Sequence, residues 1–155
     1  MKTALTLEIE KAIFKESGAA GMGIYGAFEV AIGEGYGNEY VDYMTMKSNN
    51  EFRCYEIKIS YADFKSGNAL SFYGDFNNFV MPVDLYSNIK EKQEYFFGNI
   101  GVYVYKNGCL SLAKKPKRKI VRIDTRIMLM HCMIRSLSRL TTKEHTQLGR
   151  MEEEE

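Results

Sequence analysis

Val41-Asp42-Tyr43-Met44-Thr45-Met46-Lys47-Ser48-Asn49-Asn50-Glu51-Phe52-Arg53-Cys54-Tyr55-Glu56-Ile57-Lys58-Ile59-Ser60 reads as two β-strands joined by a tight turn. β-Branched and aromatic residues crowd both halves, and Lys47-Ser48-Asn49-Asn50 supplies the turn. The strands are expected at Tyr40–Met46 and Phe52–Tyr61. In Glu56-Ile57-Lys58 the acid and the lysine lie two apart, so on a strand both leave the same face. Ile57 and Ile59 then leave the other face, into the core. A three-residue turn centred on Asn49 sets Asp42 across from Glu56, with Cβ atoms roughly 4.5–5.5 Å apart. A two-residue turn would put Ile57 opposite Asp42 and separate the acids.

Outward from this hairpin, Thr3 to Glu16 reads as a helix, with Leu5, Ile9, Ala12 and Ile13 on one apolar stripe. Ser17 to Gly23 ends it. Ala27–Ile32 is a strand whose alternation puts Phe28, Val30 and Ile32 on one face and Ala27, Glu29 and Ala31 on the other. Gly33–Asn38 is a glycine-rich turn. Downstream, Asp63 to Phe72 is expected to be helical and Asn78–Met81 a short strand stopped by Pro82. Asp84 is read as the cap of a helix to about Glu94. Ile100–Tyr105 and Leu110–Ala113 form a hairpin turned at Lys106-Asn107-Gly108. An amphipathic helix spans Ile123 to Leu140. The result is an α/β (α+β mixed) fold, a central mixed sheet flanked by helices, in one domain over residues 1–140. Residues 141–155 are expected to be a frayed acidic tail.

Asp42 and Glu56 on neighbouring strands offer hard oxygen ligands suited to Mg²⁺ or Mn²⁺, and like charges so close call for a counter-charge. Lys58 and a divalent cation would supply it. Such a metal polarises a phosphate and acidifies water, while a lysine beside it can steady a phosphate oxygen. The alternative is a salt-bridge ladder on an exposed sheet face. Glu10 falls inside the apolar arc of the first helix and Glu8 on its wet side, so Glu10 is the better candidate for a further acid. Glu29 sits between two alanines that leave room beside it, for a metal or for a cross-strand ion pair.

The order of a helix with an acid, a strand, the Asp- and Glu-x-Lys-bearing strands, a helix and a strand resembles the PD-(D/E)XK nuclease superfamily over roughly residues 3–82. Phe28-Glu29-Val30-Ala31-Ile32, Val41-Asp42-Tyr43-Met44-Thr45, Cys54-Tyr55-Glu56-Ile57-Lys58-Ile59-Ser60, Ala62-Asp63-Phe64 and Phe79-Val80-Met81-Pro82 resemble, more narrowly, a phage- and prophage-associated group related to the MmcB-like DNA-repair proteins. The resemblance implies a restriction-endonuclease-like αβββαβ core and a metal-dependent DNA phosphodiester hydrolase of repair, recombination or mobile-element biology. It implies Asp42, Glu56, Lys58 and Glu10 as catalytic residues. The implied metal ligands are Asp42, Glu56, Glu29 and Ile57, the last by its main chain. A nuclease-like module that binds DNA or protein without cutting is the other outcome.

Charge agrees with a polyanionic partner. The chain has 21 Lys and Arg against 20 Asp and Glu, and without the four glutamates at its end 16 acids remain. Lys114, Lys115, Lys117, Arg118 and Lys119 concentrate the excess, and are read as DNA contacts or as a charged linker. Lys65 and Tyr73 are weighed between the DNA backbone and a solvated helix face. Three cysteines without CxxC spacing disfavour disulfides and zinc. No Ser/His pair suggests a hydrolase triad, and no apolar run is long enough for a membrane span. The expectation is a cytoplasmic protein with DNA as partner, within a repair or phage complex or as a homodimer. Ile127, Met130, Met133, Leu137 and Leu140 would either form that dimer or cover the protein's own sheet.

Overall fold

The hairpin anchors a six-stranded sheet in the computed structural model, which describes residues 1–19, 21–33, 39–66, 71–92 and 97–153. The elements are α1 (Ala4–Ser17), β1 (Ile24–Ile32), β2 (Glu39–Lys47), β3 (Phe52–Ile57), α2 (Tyr61–Lys65), β4 (Phe76–Pro82), α3 (Val83–Lys92), β5 (Gly101–Lys106), β6 (Cys109–Lys114) and α4 (Ile123–Glu153). Strand order is sequential, β1 to β6, with β3–β4 and β4–β5 parallel and the other pairs antiparallel. Only the parallel pairs require crossovers, and α2 and α3 lie within them.

The β2–β3 register pairs Tyr43 with Tyr55 and Met46 with Phe52, as a turn centred on Asn49 requires. Asn50 takes the left-handed conformation there, at φ 65°. The β5–β6 turn is Asn107-Gly108, both residues at positive φ, as a two-residue turn matched to strand twist demands.

Helices cover both faces. Thr3 caps α1 by accepting the Thr6 N–H at 3.1 Å, and Gly18 ends it at φ 70°. Its fully buried Ile9 and Ile13 pack on Tyr43, Tyr55, Ile57, Val80 and Tyr105. On the opposite face, Leu129, Cys132 and Met133 of α4 cover Ala27, Met44, Phe52 and Cys54, and α3 covers Phe79 and Val102 through Leu85 and Ile89. Arg135 of α4 donates to the carbonyls of Ala31 and Gly33 at the end of the edge strand β1, at 2.8 and 3.0 Å.

Asp75, completely buried before β4, ties the helix to the sheet. Its carboxylate accepts both terminal nitrogens of Arg126 at 2.7 Å and the Phe52 N–H at 2.9 Å. Burial would raise its pKa, but the Arg126 hydrogen bonds and the Phe52 N–H hold it below the usual carboxylate value.

Several sequence readings change. α2 starts at Tyr61 because Ser60 caps it, accepting the Asp63 N–H at 3.1 Å, and residues 71 and 72 are not helical. Residues 67–70, within the helix expected to reach Phe72, lie outside the described residues, as do 93–96, which hold the expected end at Glu94, and most of the Gly33–Asn38 turn. Asp84 sits in the first turn of α3 and does not precede it. The alternation of β1 breaks at Glu29, whose φ of 51° shifts the parity, so Ala27, Val30 and Ile32 share one core. Residues 141–153 are helix and not a frayed tail, because α4 runs unbroken for 31 residues.

Candidate active site

Glu29, Asp42 and Glu56 occupy one row across three strands, and both ladders are interrupted at that row. The β1–β2 pairing skips Glu29–Asp42, between Phe28–Tyr43 and Val30–Val41. The β2–β3 ladder stops at Tyr43–Tyr55, one step short of Asp42–Glu56. Asp42 Oδ2 instead accepts the Ile57 N–H at 2.7 Å, so a side chain takes over from the main-chain ladder. The facing pair expected from the register is thus a carboxylate leaning past Glu56 onto the backbone of the next residue. This parting of the strands is what brings polar side chains into the sheet.

Lys58 follows immediately after β3 and is held by its own N–H to the Val80 carbonyl at 3.0 Å. Its side chain is buried, with Nζ 3.4 Å from Glu56 and 4.0 Å from Asp63. Asp63 Oδ2 accepts the Ile59 N–H at 3.0 Å, so the start of α2 and the end of β3 brace one another. Burial, and then the neighbouring Asp42 carboxylate, push the Glu56 pKa up to about 7, although Lys58 opposes the rise. Burial also raises Asp42, against the Ile57 N–H and Lys58. Two acids that resist ionising together, with a single buried ammonium beside them, form a site short of positive charge.

Asp42 opens to solvent on two sides. A cleft of about 460 Å³ is lined by Lys2, Thr6, Glu10, Asp42, Ile57, Ser60 and Asp63. A second, of about 500 Å³, brings Asp42 and Glu29 next to Ser136, Arg139 and Lys143 of α4. Glu10 faces the first cleft and bonds Lys2, whereas Glu8 accepts the Tyr105 hydroxyl at 2.8 Å, away from it. Glu29 is turned outward, exposed and 3.3 Å from Lys2, so Lys2 bridges Glu10 and Glu29. The site thus brings together Asp42, Glu56, Lys58 and Asp63, with Glu10 at the rim. It does not gather Glu29 with Asp42 and Glu56.

Among the described residues no three histidine, cysteine, aspartate or glutamate side chains cluster as a metal cage. The donors do fit a Mg²⁺- or Mn²⁺-type ion. Such ions take oxygen ligands, keep several waters, and are commonly held by one or two carboxylates with the substrate's phosphates completing the shell. Asp42 and Glu56 are two such carboxylates, with the buried Lys58 ammonium beside Glu56. Ile57 gives its N–H to Asp42, and any metal contact from it would come from its carbonyl.

The basic residues divide. Lys114 Nζ is spent on the Gly98 and Ile100 carbonyls at 2.6 and 2.8 Å, and Lys119 Nζ on Phe72 O at 2.9 Å. Arg118 lies 3.5 Å from Asp75. These three fasten the segment between β6 and α4, while Lys115 and Lys117 remain exposed. Lys65 lies over the Tyr61 ring at 5.8 Å, and Tyr73 packs partly buried against the core instead of facing solvent. Sequence reasoning missed Lys2, Arg139 and Lys143 at the clefts, and gave Asp63 no role. Only Asp63 carries a local signal, the Ser60-x-x-Asp63 cap pattern; tertiary packing alone brings the others in.

No family model and no curated protein matches the chain. Its structure is similar to that of the SPO1766 protein of unknown function from Silicibacter pomeroyi, with a TM-score of 0.75 and 12% identity over 96% of this chain and 97% of that one. At that identity the likeness shows the shared fold: an α/β protein with a six-stranded mixed sheet flanked by helices. Among the described residues no helix is long and apolar enough to cross a membrane.

Proposed function

We propose that this chain is a divalent-metal-dependent DNA phosphodiester hydrolase with a restriction-endonuclease-like core of the PD-(D/E)XK type. The observation that carries the reading is the interruption of both ladders at the Glu29–Asp42–Glu56 row, where two partly buried carboxylates meet one buried lysine. A plain salt-bridge ladder needs neither the parted strands nor the burial, and desolvating such groups is costly.

In this reading Asp42 and Glu56 hold the cation from two sides of the parted hairpin, and the Ile57 N–H fixes the Asp42 carboxylate. When bound, the cation supplies Lewis acidity toward a phosphate oxygen and an acidified water. Lys58 is positioned by Glu56 and Asp63 to hold a non-bridging phosphate oxygen and to stabilise charge as it grows in the transition state. Arg139 and Lys143 line the cleft as phosphate-backbone contacts, with Lys115 and Lys117 as more distant ones. Repair, recombination and mobile-element biology are the settings in which such an activity is used.

The test is calorimetric titration of Mn²⁺ into the wild type and Glu56→Ala, followed by cleavage assays on single-stranded, duplex and branched DNA with Lys58→Ala alongside. Metal binding that vanishes with Glu56, and cleavage that vanishes with Lys58, support the proposal. No binding at millimolar metal refutes it. One observation favours a second reading, a nuclease-like module that binds without cutting: Lys2 already neutralises Glu10 and Glu29, two of the four candidate acids. That reading predicts DNA binding with no cleavage of any substrate.

A further inference from the structure

Helix α4 carries a second apolar stripe that the fold leaves largely exposed. Ile127, Ile134, Thr141 and Leu148 recur every seven residues, and Ile123, Met130, Leu137, Glu144 and Met151 occupy the positions three further along the same repeat. Seven of these nine residues are apolar. At 100° per residue the stripe centres about 110° round the helix from Leu129, Cys132, Met133 and Ser136, the residues α4 buries, so it flanks the buried face, and Met130 at its edge packs on that core. Ile123 is 72% exposed, Ile134 64%, Leu148 56% and Met151 65%. Every residue from Leu137 to Glu152 is exposed. An isolated helical stretch of that length is marginal in water, and apolar residues spaced by three and four over four heptads are the pattern of a coiled-coil seam.

We propose that α4 pairs with α4 of a second copy of this chain, as an antiparallel coiled coil. Charge selects both the occupant and its direction. The N-terminal end of α4 is basic, with Arg122 82% and Arg118 63% exposed at their side chains and Lys115 and Lys117 just before. The C-terminal end is acidic, at Glu152 and the glutamates that follow it in sequence. A parallel pair would set these acids on each other and Glu144 against Glu144 inside the seam. An antiparallel pair lays the acidic end of each copy along the basic end of the other and opposes the two helix dipoles. The layers are then Ile127 on Met151, Met130 on Leu148, Ile134 on Glu144 and Leu137 on Thr141. Each occurs twice by the two-fold symmetry, so Glu144 and Thr141 fall in the four central layers, where they fix register at some cost in stability.

Area agrees. The 31 residues of α4 span about 46 Å, and half the circumference of a helix along that length is roughly 700 Å² per copy. A standard stable interface buries about 800 Å² per partner. Ser136, Arg139 and Lys143 lie on the opposite side of the helix from the seam. Pairing therefore leaves the clefts at Asp42 open, although it lays the acidic end of the other copy toward Lys115 and Lys117.

Sedimentation equilibrium of the full chain over a range of concentrations is the test. The wild type is expected at twice the chain mass, and Ile134→Glu with Leu137→Glu at the chain mass. Both substitutions are at exposed positions, so unchanged circular dichroism would show the protomer intact. Direction is read by oxidative cross-linking in a Cys109→Ser background: Ile127→Cys and Met151→Cys proteins, mixed, should cross-link to each other and not to themselves. A monomer at every concentration overturns the proposal, including one that binds lipid vesicles or another protein's helix instead. So does a dimer that survives the double substitution, or cross-linking of Ile127→Cys to itself.

Discussion

Replacing Glu56 by Gln separates a functional acid from a structural one. In the folded chain burial and the Asp42 carboxylate raise Glu56 from an ordinary 4.5 to about 7. At 1.36 kcal/mol per pH unit, ionising it costs the fold roughly 3 kcal/mol. A carboxyl whose pKa is raised on folding leaves stability intact below the unfolded value near 4.5. Stability is then lost as pH rises, and the loss is complete above about 7. Glu56→Gln removes the titration, so wild type and variant should unfold alike below about pH 4.5, diverge between there and about 7, and keep a constant difference above it. The variant should be the more stable by up to about 3 kcal/mol, or roughly 6–12 °C in Tm for a chain of this size. Urea denaturation at a series of pH values without divalent metal reads this directly. Adding Mn²⁺ should then stabilise the wild type and leave the variant unmoved. A variant less stable than wild type at every pH would refute the reasoning. Glu56 would then be an anchor for Lys58, its ion pair outweighing its desolvation.

Asp75→Asn should cost about 2–3 kcal/mol, because it sets the part-buried Arg126 against a neutral amide, and should raise hydrogen exchange in α4. Since Asp75 is held below its ordinary value, the stability it contributes is present above pH about 4 and lost on acidification below that, a decline the variant should lack. Gly101→Ala should lower stability by about 1–3 kcal/mol in thermal unfolding, since a Cβ there would lie 2.7 Å from Pro116 Cδ and 2.9 Å from its nitrogen. Glu29→Gly relieves a left-handed residue at the loss of an exposed ion pair. It should be neutral or stabilising by up to about 1 kcal/mol in chemical denaturation.

The hairpin was legible because two independent signals agree: strand alternation on both sides of Asn49 and a turn with a residue suited to positive φ. Neither signal set the length of the turn, and the observed pairing of Tyr43 with Tyr55 is what selects the three-residue turn and puts Asp42 and Glu56 in one row. The departure at that row was hidden, since Phe28, Val30 and Ile32 obey a period of two in sequence while Glu29 breaks it in space. The basic segment misled for another reason: sequence shows where Lys114, Arg118 and Lys119 are, but not the carbonyls and carboxylate that consume them. Asp75 and Arg126 are 51 residues apart, and no local pattern joins them. The far half of α4 read as a tail because its glutamates drew attention from the heptad running through it.

The grip of Arg135 on the carbonyls of Ala31 and Gly33 bears on a hazard that every open sheet faces. β1 is an edge, and unpaired main-chain groups at an edge can recruit a strand from another molecule. A guanidinium on those two acceptors leaves an incoming strand two fewer carbonyls to bond, and brings a positive charge it would have to displace. α4 is therefore also a guard rail against aggregation. Acidification that protonates Asp75 weakens the Arg126 tether of α4, and with it this cover on the β1 edge.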